Sequence, residues 1–314
     1  MLALDLGGTQ LRTAIVLSDG RLLGRRSEPT PHADAETVVT ACVRALRASL
    51  AAASADSSTS VAPVAVGISA PGPLNPRTGT LIDPPNLDRS LWNFPLAARI
   101  GNELNLPAVL ERDTQVAILA EGAFGAARGL TDYVYLTVST GIGGAVVSDG
   151  RLMRGPDGLA GELGHLTIDI DGPVCGCGAR GHFEALASGT GIARAMDVGE
   201  ASLVAALEEA GDAGASEVME RARQAFAAAV VSIVDIFNPQ RIIVGGGVAM
   251  GQGDRLLDPA REAIRKTAFR RQAERVELVP VQLGDDVGLI GALSLVSLAR
   301  LGDDVASGQS KHDR

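Results

Sequence analysis

The sequence predicts an α/β protein with mixed sheets, built as two similar halves that face one cleft. Strand-like apolar runs alternate with helical patterns along the chain, which favours an α/β architecture. A strand, a glycine turn and a second strand occur near residue 5 and again near residue 140, which indicates a weak internal repeat. The length of 314 residues is that of two domains of ordinary size.

The first half shows two strands joined by a glycine turn, then a helix, a strand, a long loop, a helix, and a strand that leads into another helix. Apolar residues at helical spacing predict the helices, and Pro, Asn, Asp and Gly predict the loop. The predicted segments are strands 2–4 and 13–17, helix 35–50, strand 64–68, loop 74–95, helix 96–104, strand 108–110 and helix 116–122.

The second half repeats this alternation after an irregular, glycine-rich stretch. Its predicted segments are strands 133–138 and 144–147, the irregular stretch 155–182, helical segments 183–187 and 191–196, helix 217–237, strand 241–244, helix 254–267, strand 276–280 and helix 288–301. We expect a small domain of residues 1–112 with about 298–314, and a large domain of residues 113–297.

Charge and cysteine content exclude several classes of protein. A formal net charge of −9 argues against nucleic-acid binding. We find no apolar run of about 20 residues and no signal peptide, so a membrane location is not expected. Three cysteines provide no disulfide framework, and a reducing, cytoplasmic location follows.

Three glycine turns interrupt the predicted strands, at Asp5–Thr9, Ser139–Gly144 and Gly245–Gly247. Glycine allows backbone N–H groups to approach an anion closely, and none of the turns has the Walker P-loop pattern. Any one of them is weak evidence, but together they indicate phosphate binding. Asp5 beside the first turn is a candidate to hold a hydrated Mg²⁺. The candidate phosphate-binding residues are Asp5, Gly7, Gly8, Thr9, Thr140, Gly141, Gly143, Gly245, Gly246 and Gly247.

Two cysteines and two histidines lie within eighteen residues of the glycine-rich stretch: His165, Cys175, Cys177 and His182. Thiolates and imidazoles in a short loop suit a tetrahedral structural zinc ion, with no ligand position left for a catalytic water. The alternative is unligated core cysteines with two surface histidines, because Cys-x-Cys is not a standard zinc-finger spacing.

The segment 160–165, Ala-Gly-Glu-Leu-Gly-His, followed by 175–189, resembles the signature of the ROK family of repressors, open reading frames and sugar kinases. Asp5–Thr9 resembles the first phosphate motif of the sugar kinase, heat-shock ATPase and actin superfamily. The resemblance extends from about Leu2 to about Ala299. It implies two ribonuclease-H-like, actin-like ATPase domains with mixed sheets flanking a central cleft, and a tendency to form homodimers.

The resemblance also assigns roles to individual residues. It implies that zinc is held by His165, Cys175, Cys177 and His182, with His182 where the family usually has a third cysteine. It implies a catalytic base at Asp113, which we expect to be a buried carboxylate; the alternative is a helix N-cap. The implied sugar-binding positions are Gly72, Asn86, Arg112, Asp113, Glu162, His165 and Glu184.

Arg112 departs from the family, which has asparagine at this position. Because arginine is larger, always charged and has only donors, it could reshape the sugar pocket, bind an acidic sugar group or pair with Glu111.

The expected function is an ATP-dependent hexose kinase, with glucokinase acting on the 6-hydroxyl of glucose as the first choice. The resemblance leaves kinases for N-acetylmannosamine, N-acetylglucosamine, mannose or fructose as alternatives. A non-catalytic sugar-binding regulator is another alternative. Family repressors carry an extra N-terminal DNA-binding domain, and the phosphate turn at Asp5 leaves no room for one, so we expect a hexose and ATP as partners and no nucleic acid.

Overall fold

The structure, a computed structural model, describes residues 1–56 and 62–295, which divide into two compact units. The first unit contains Met1–Gly125, Gly155–Leu159 and the described part of Leu283–Arg314. The second contains Ala126–Arg154 and Ala160–Gln282.

The first unit is built on one main sheet. Among the described residues this sheet has five strands in the order β3-β2-β1-β4-β7, and β5 and β6 form a separate hairpin. β1 pairs antiparallel with β2 and parallel with β4, and β4 pairs parallel with β7. The strands are β1 (Leu2–Leu6), β2 (Gln10–Val16), β3 (Leu22–Pro29), β4 (Val66–Ala70), β5 (Leu74–Asn75), β6 (Thr80–Leu81) and β7 (Ala108–Arg112).

The helices of the first half are α1 (Ala35–Asp56), α2 (Leu96–Leu104) and α3 (Asp113–Phe124). Alternate residues of β1 point to opposite faces of the sheet, as the strand period of two requires. Leu2, Leu4 and Leu6 pack in the core with α1 and α2, whereas Ala3 packs on the other face.

The second unit has a sheet of the same design. Among the described residues its order is β10-β9-β8-β11-β12, with β8 antiparallel to β9 and parallel to β11, and β11 parallel to β12. The elements are β8 (Tyr133–Val138), β9 (Ile142–Ser148), β10 (Arg151–Leu152), α4 (Phe183–Ala187), α5 (Gly189–Ala195), α6 (Ala201–Glu209), α7 (Ala213–Phe237), β11 (Arg241–Gly245), α8 (Gly247–Gln252), α9 (Asp254–Thr267), α10 (Arg270–Ala273) and β12 (Glu277–Pro280).

The identical strand order and sense in the two sheets confirm the α/β class and the internal repeat that the glycine turns predicted. Helix Asp254–Thr267 has the predicted bounds. Strand β3 and helices α6, α8 and α10 were not predicted, because β3 is largely polar, α6 buries only Val204, and α8 and α10 are short. Residues 296–301 of the predicted closing helix lie outside the described residues.

A last helix, α11 (residues 287–295), covers the second face of the first sheet. Leu289 and Ala292 pack against Ala3, Ala14 and Val16. Small residues on the sheet allow this close approach. A Cβ atom on Gly67 of β4 would lie 2.6 Å from the backbone oxygen of Ala292.

The compact units therefore differ from the sequence-based boundaries at 112 and 298. Both α3 and α11 pack with the first unit, and the backbone N–H of Leu283 donates to Oε1 of Glu121 at 2.9 Å. Helical periodicity does not show which sheet a helix covers, so the boundaries could not be read from it. The predicted segment 298–314 lies outside the described residues.

The sequence-based expectation that no apolar run is long enough to span a membrane is wrong for one helix. Among the described residues, Ala35–Ala55 pass that test by length and composition alone, and half of that window is buried. Val38, Val39, Cys42 and Leu46 of this helix are part of the core of the first unit.

Substituting Gly67 should destabilise the first unit. Gly67→Ala places a Cβ against the backbone of α11, and we expect overpacking to lower the free energy of unfolding by about 1–3 kcal/mol. Urea denaturation measures the free energy of unfolding. Gly199→Ala is the control, because a Cβ atom at Gly199 meets nothing within 4 Å. Equal stability of the two variants would contradict the close packing of α11.

Candidate active site

In the first unit, predicted site residues lie at one edge of the sheet. The glycine turn follows β1, Gly72 follows β4, and Asp113 follows β7. Because these three strands are parallel, their carboxyl ends meet at the same edge. The turn is closed by the backbone N–H of Gly7, which donates to the oxygen of Gln10 at 2.9 Å.

Asp5 lies near the end of β1, and its carboxylate is partly buried. Ser69 Oγ donates to Oδ1 of Asp5 at 2.8 Å, and Arg12 is 3.9 Å from Oδ2. Burial raises the pKa of the Asp5 carboxyl, while Ser69 and Arg12 act in the opposite direction. A Cβ atom on Gly288 would lie 2.7 Å from Cγ of Asp5, so the start of α11 packs directly on this carboxylate.

Two further predicted residues, Gly8 and Asn86, lie together at the glycine turn after β1. A Cβ atom on Gly8 would lie 3.1 Å from the backbone oxygen of Asn86, so the loop after β6 packs on the phosphate turn. Thr9 is exposed, and its backbone oxygen accepts a hydrogen bond from the N–H of Thr30 at 2.9 Å. Gly8 can therefore be replaced only if this loop moves.

Arg112 is 4% exposed, so this arginine is part of the protein interior. A Cβ on Gly72 would lie 3.2 Å from its Cδ. Nη1 donates to the backbone oxygen of Gly158 at 3.3 Å, and Nη2 donates to Oγ1 of Thr114 at 3.4 Å. These contacts fix the Arg112 side chain against Gly72, Gly158 and Thr114, and the three alternative roles of Arg112 stay predictions.

Asp113 is exposed, which corrects the expectation of a buried carboxylate. It is the first residue of α3, and Arg112 occupies the N-cap position that the alternative gave to Asp113. Oδ1 of Asp113 accepts the N–H of Thr114 at 2.7 Å. A carboxylate at a helix N-terminus is stabilised in its ionised form, which is the form a general base needs.

The second unit carries its glycine turn between β8 and β9, at the same place in the repeated sheet. Here the N–H of Ser139 donates to the oxygen of Gly141 at 2.9 Å. The start of α5 is attached to this turn, because Gly189 N–H donates to the Ser139 oxygen at 2.7 Å and Thr190 N–H to the Thr140 oxygen at 3.0 Å.

The third glycine turn follows β11, which is parallel to β8, so it lies at the same edge as Ser139 and Thr140. Gly246 has φ 93°, a conformation that other residues rarely adopt. Gly143 lies in β9 opposite Thr137, and Gly245 packs near the hydroxyl of Tyr135.

Ser139, Thr140 and Gly247 border a cavity of about 830 Å³ within the second unit. This volume is in the range of sites for small molecules and cofactors. The sequence did not indicate its walls, which come from α5, α6 and α8 and carry no shared motif. They include Gly189, Thr190, Ile192, Ala193, Arg194, Asp197, Val198, Glu200, Ala205, Val248 and Gln252.

The four predicted metal ligands form one cluster, with their ligand atoms all within 4.8 Å of one another. His165 Nδ1 lies 3.1 Å from His182 Nδ1, which lies 3.3 Å from Cys177 Sγ. In tetrahedral zinc sites, Zn–N of about 2.05 Å and Zn–S of about 2.3 Å place neighbouring ligand atoms about 3.3–3.8 Å apart. The donor set, with its two separations of 3.1 and 3.3 Å, is compatible with a structural zinc ion, and the role of His182 as the fourth ligand stays a prediction.

Burial raises the pKa of the Cys175 thiol, and the neighbouring Glu184 and Cys177 raise it further. The raised pKa favours the protonated thiol. A bound divalent cation would favour the thiolate instead, because the thiolate binds the metal and the proton is released.

The metal cluster lies close to the turn between β8 and β9. A Cβ atom on Gly144 of β9 would lie 2.7 Å from Cδ1 of Leu163, which sits between Glu162 and His165. Glu184 Oε2 accepts the N–H of Ile142 at 2.9 Å. The second unit thus holds Glu162, His165 and Glu184, three of the predicted sugar-binding residues, around its glycine turn.

Comparison with known proteins identifies a family and several similar sugar kinases. The ROK family model matches residues 1–299. N-acetylmannosamine kinase of Shigella boydii is 36% identical over 305 residues, which cover 96% of this chain and 99% of that protein. A ROK hexokinase from Thermus thermophilus superimposes with a TM-score of 0.82 at 35% identity, covering 96% of this chain and 99% of the other.

A ROK family glucokinase from Streptomyces griseus, solved with glucose and AMPPNP, has a TM-score of 0.73 at 30% identity. The match covers 94% of this chain and 99% of the glucokinase chain. The chain belongs to the ROK family. The two-domain actin-like ATPase fold is confirmed, and its relatives support a sugar kinase.

The metal cluster predicts one zinc ion per chain. Elemental analysis of protein purified without chelator should give about one zinc. Cys177→Ser should lose it, because the thiolate ligand is removed, whereas His182→Cys should keep it, since cysteine also ligates zinc. Protein free of zinc, or Cys177→Ser with full zinc content, would contradict the assignment.

Asp5→Asn should not lower stability. The folded-state pKa of Asp5 is raised, so the ionised carboxylate destabilises the folded protein once the pH exceeds the pKa of the unfolded chain. Asparagine avoids this cost and still accepts from Ser69 Oγ. Without divalent cations, the two melting temperatures should agree near pH 4, and Asp5→Asn should be the higher at pH 7. A variant that melts several degrees lower at pH 7 would contradict this account.

Proposed function

We propose that the chain is an ATP-dependent kinase that phosphorylates the primary 6-hydroxyl of a hexose or N-acetylhexosamine. The observation that carries the proposal is the glycine turn repeated at the same edge of both sheets, the second one opening onto a cavity of about 830 Å³. A turn with free space beside it can receive a nucleotide's phosphates, with the remainder of the nucleotide in the cavity.

Asp113 is the proposed general base. The 6-oxygen of the sugar attacks the γ-phosphorus, the bond from that phosphorus to the β,γ-bridging oxygen breaks, and ADP leaves. The hydroxyl proton passes to the carboxylate of Asp113. The Thr114 N–H donates to Oδ1 of Asp113 and orients this carboxylate before the reaction.

The reaction also requires groups that neutralise the negative charge of the phosphates. Backbone N–H groups of Gly8, Gly141 and Gly143 are the proposed donors, whereas the Gly7 N–H closes its turn on Gln10. Asp5 would hold Mg²⁺, which neutralises phosphate charge when bound. Its raised pKa fits this role, because a cation favours the ionised carboxylate and offsets the cost of burial.

Zinc would have a structural role in this kinase. Four protein ligands leave no position for a reacting water. The ion would fix the loop that carries Glu162 and His165, and Glu184 beside it. We propose these three side chains, with Gly72 and Asn86, as sugar-binding residues.

N-acetylmannosamine is the first substrate to test, because proteins named for it are 36% identical over 96% of this chain. The sequence-based preference for glucose stays a prediction, and the hexokinase and glucokinase at 35% and 30% identity support it as the second candidate. The expected homodimer and cytoplasmic location also stay predictions.

A coupled assay of ADP release with a panel of sugars tests the proposal. Wild-type protein should turn over at least one of N-acetylmannosamine, glucose, mannose, N-acetylglucosamine or fructose. Asp113→Asn should lower kcat about 10²–10⁴-fold, because the proton acceptor is lost, without lowering the melting temperature.

Asp149→Asn is the matched control. Asp149 is exposed and has φ 51°, which asparagine tolerates equally well, so the activity should be unchanged. Wild-type protein that binds a sugar but releases no ADP with any of the five would instead favour the non-catalytic regulator. Full activity in Asp113→Asn would exclude this residue as the base.

A further inference from the structure

One wall of the cavity in the second unit carries a polar side chain whose orientation is fixed by its partner. Gln252, the last residue of α8, is 8% exposed and lines the cavity. Its Oε1 accepts a hydrogen bond from Nη1 of Arg223 at 3.1 Å. A guanidinium has only donors, so the amide oxygen must face Arg223. The amide nitrogen of Gln252 is therefore directed away from Arg223.

Arg223 is held in turn by two carboxylates. Nη2 donates to Oε1 of Glu208 at 2.8 Å, and Nε donates to Oε2 of Glu220 at 3.2 Å. The side chains of Arg223 and Glu208 are only 12% and 8% exposed. Because charge-assisted bonds of this kind are strong and directional, the network makes Gln252 a fixed N–H donor.

The Nε2 of Gln252 makes no hydrogen bond within residues 1–56 and 62–295. Nε2 is not fully buried, so an acceptor on a ligand in the cavity can reach it. α8 begins at Gly247 beside the glycine turn, and five residues of helix place Gln252 about 7.5 Å further along. The lining combines apolar residues, including Ile192, Ala193, Val198, Ala205 and Val248, with the charged residues Arg194, Asp197, Glu200 and Glu209.

This arrangement deepens the proposed function and rests on it. We infer that Gln252 recognises the base of the nucleotide, with its Nε2–H donating a hydrogen bond to one ring nitrogen of the purine. Phosphates at the glycine turn would leave the flat base against the apolar lining, with its ring nitrogens as acceptors. Gln252 is then a specificity-determining residue, and Arg223 is a positioning residue that acts through it.

Gln252→Glu is the decisive variant, because it preserves shape but replaces the donor with an acceptor. We expect the Kd for AMPPNP, measured by calorimetry, to rise at least tenfold, with kcat at saturating ATP changed less than threefold. The Kd for inorganic tripolyphosphate, which has no base, should not change. Asn102→Asp adds the same charge to an exposed residue of α2, outside the network of Arg223, and should bind AMPPNP normally.

Analogues of ATP that lack one ring nitrogen identify the acceptor. Of 1-deaza-, 3-deaza- and 7-deaza-ATP, one should bind wild-type protein at least fivefold more weakly than ATP, and Gln252→Glu should not distinguish that analogue from ATP. Arg223→Met, which frees the amide to rotate, should reduce this discrimination with little change in kcat.

Two results would overturn the inference: unchanged AMPPNP affinity in Gln252→Glu, or equal losses for AMPPNP and tripolyphosphate, which would indicate general distortion of the site. Wild-type protein that binds no adenine nucleotide would instead contradict the proposed kinase, and the inference with it.

Discussion

The sense of strand pairing in the two sheets is the constraint on which the candidate site depends. In each sheet the central strand pairs antiparallel with its hairpin partner and parallel with the strand that follows the crossover helix. The hairpin turn and the carboxyl ends of the parallel strands must then share one edge. This places Asp113 at the same edge as the first glycine turn, and Gly247 at the same edge as the second.

Close backbone approach is the second constraint, and it explains part of the glycine content. Where Gly144 faces Leu163, the segment with Glu162 and His165 can lie directly on β9. Where Gly288 faces Asp5, the start of α11 touches the carboxylate and adds to its burial. Side chains at Gly144 and Gly288 would separate the elements, so these two glycines shape the site through packing.

Local patterns predicted the parts of the molecule that are local in sequence. The glycine turns, helix α9 and the metal cluster could be predicted because each lies within a short stretch whose residue types determine its geometry. The structure groups His182 with the other three residues, as the family resemblance implied.

Features that depend on distant parts of the chain could not be predicted. The cavity is lined by α5, α6 and α8, of which α6 and α8 were not predicted. The network of Gln252, Arg223 and Glu208 joins three different helices. The exposure of Asp113 and the packing of α11 on the first sheet likewise depend on tertiary contacts, which hydrophobic periodicity does not encode.

Amide hydrogen exchange with AMPPNP tests most directly whether the strand ends bind the nucleotide. The account predicts slower exchange in peptides that cover residues 139–143, 189–192 and 246–252, at the carboxyl ends of β8 and β11. Peptides at the opposite edge of the sheet, around residues 131–133 and 239–241, should not change. Protection confined to that opposite edge, or none in the second unit, would contradict the account.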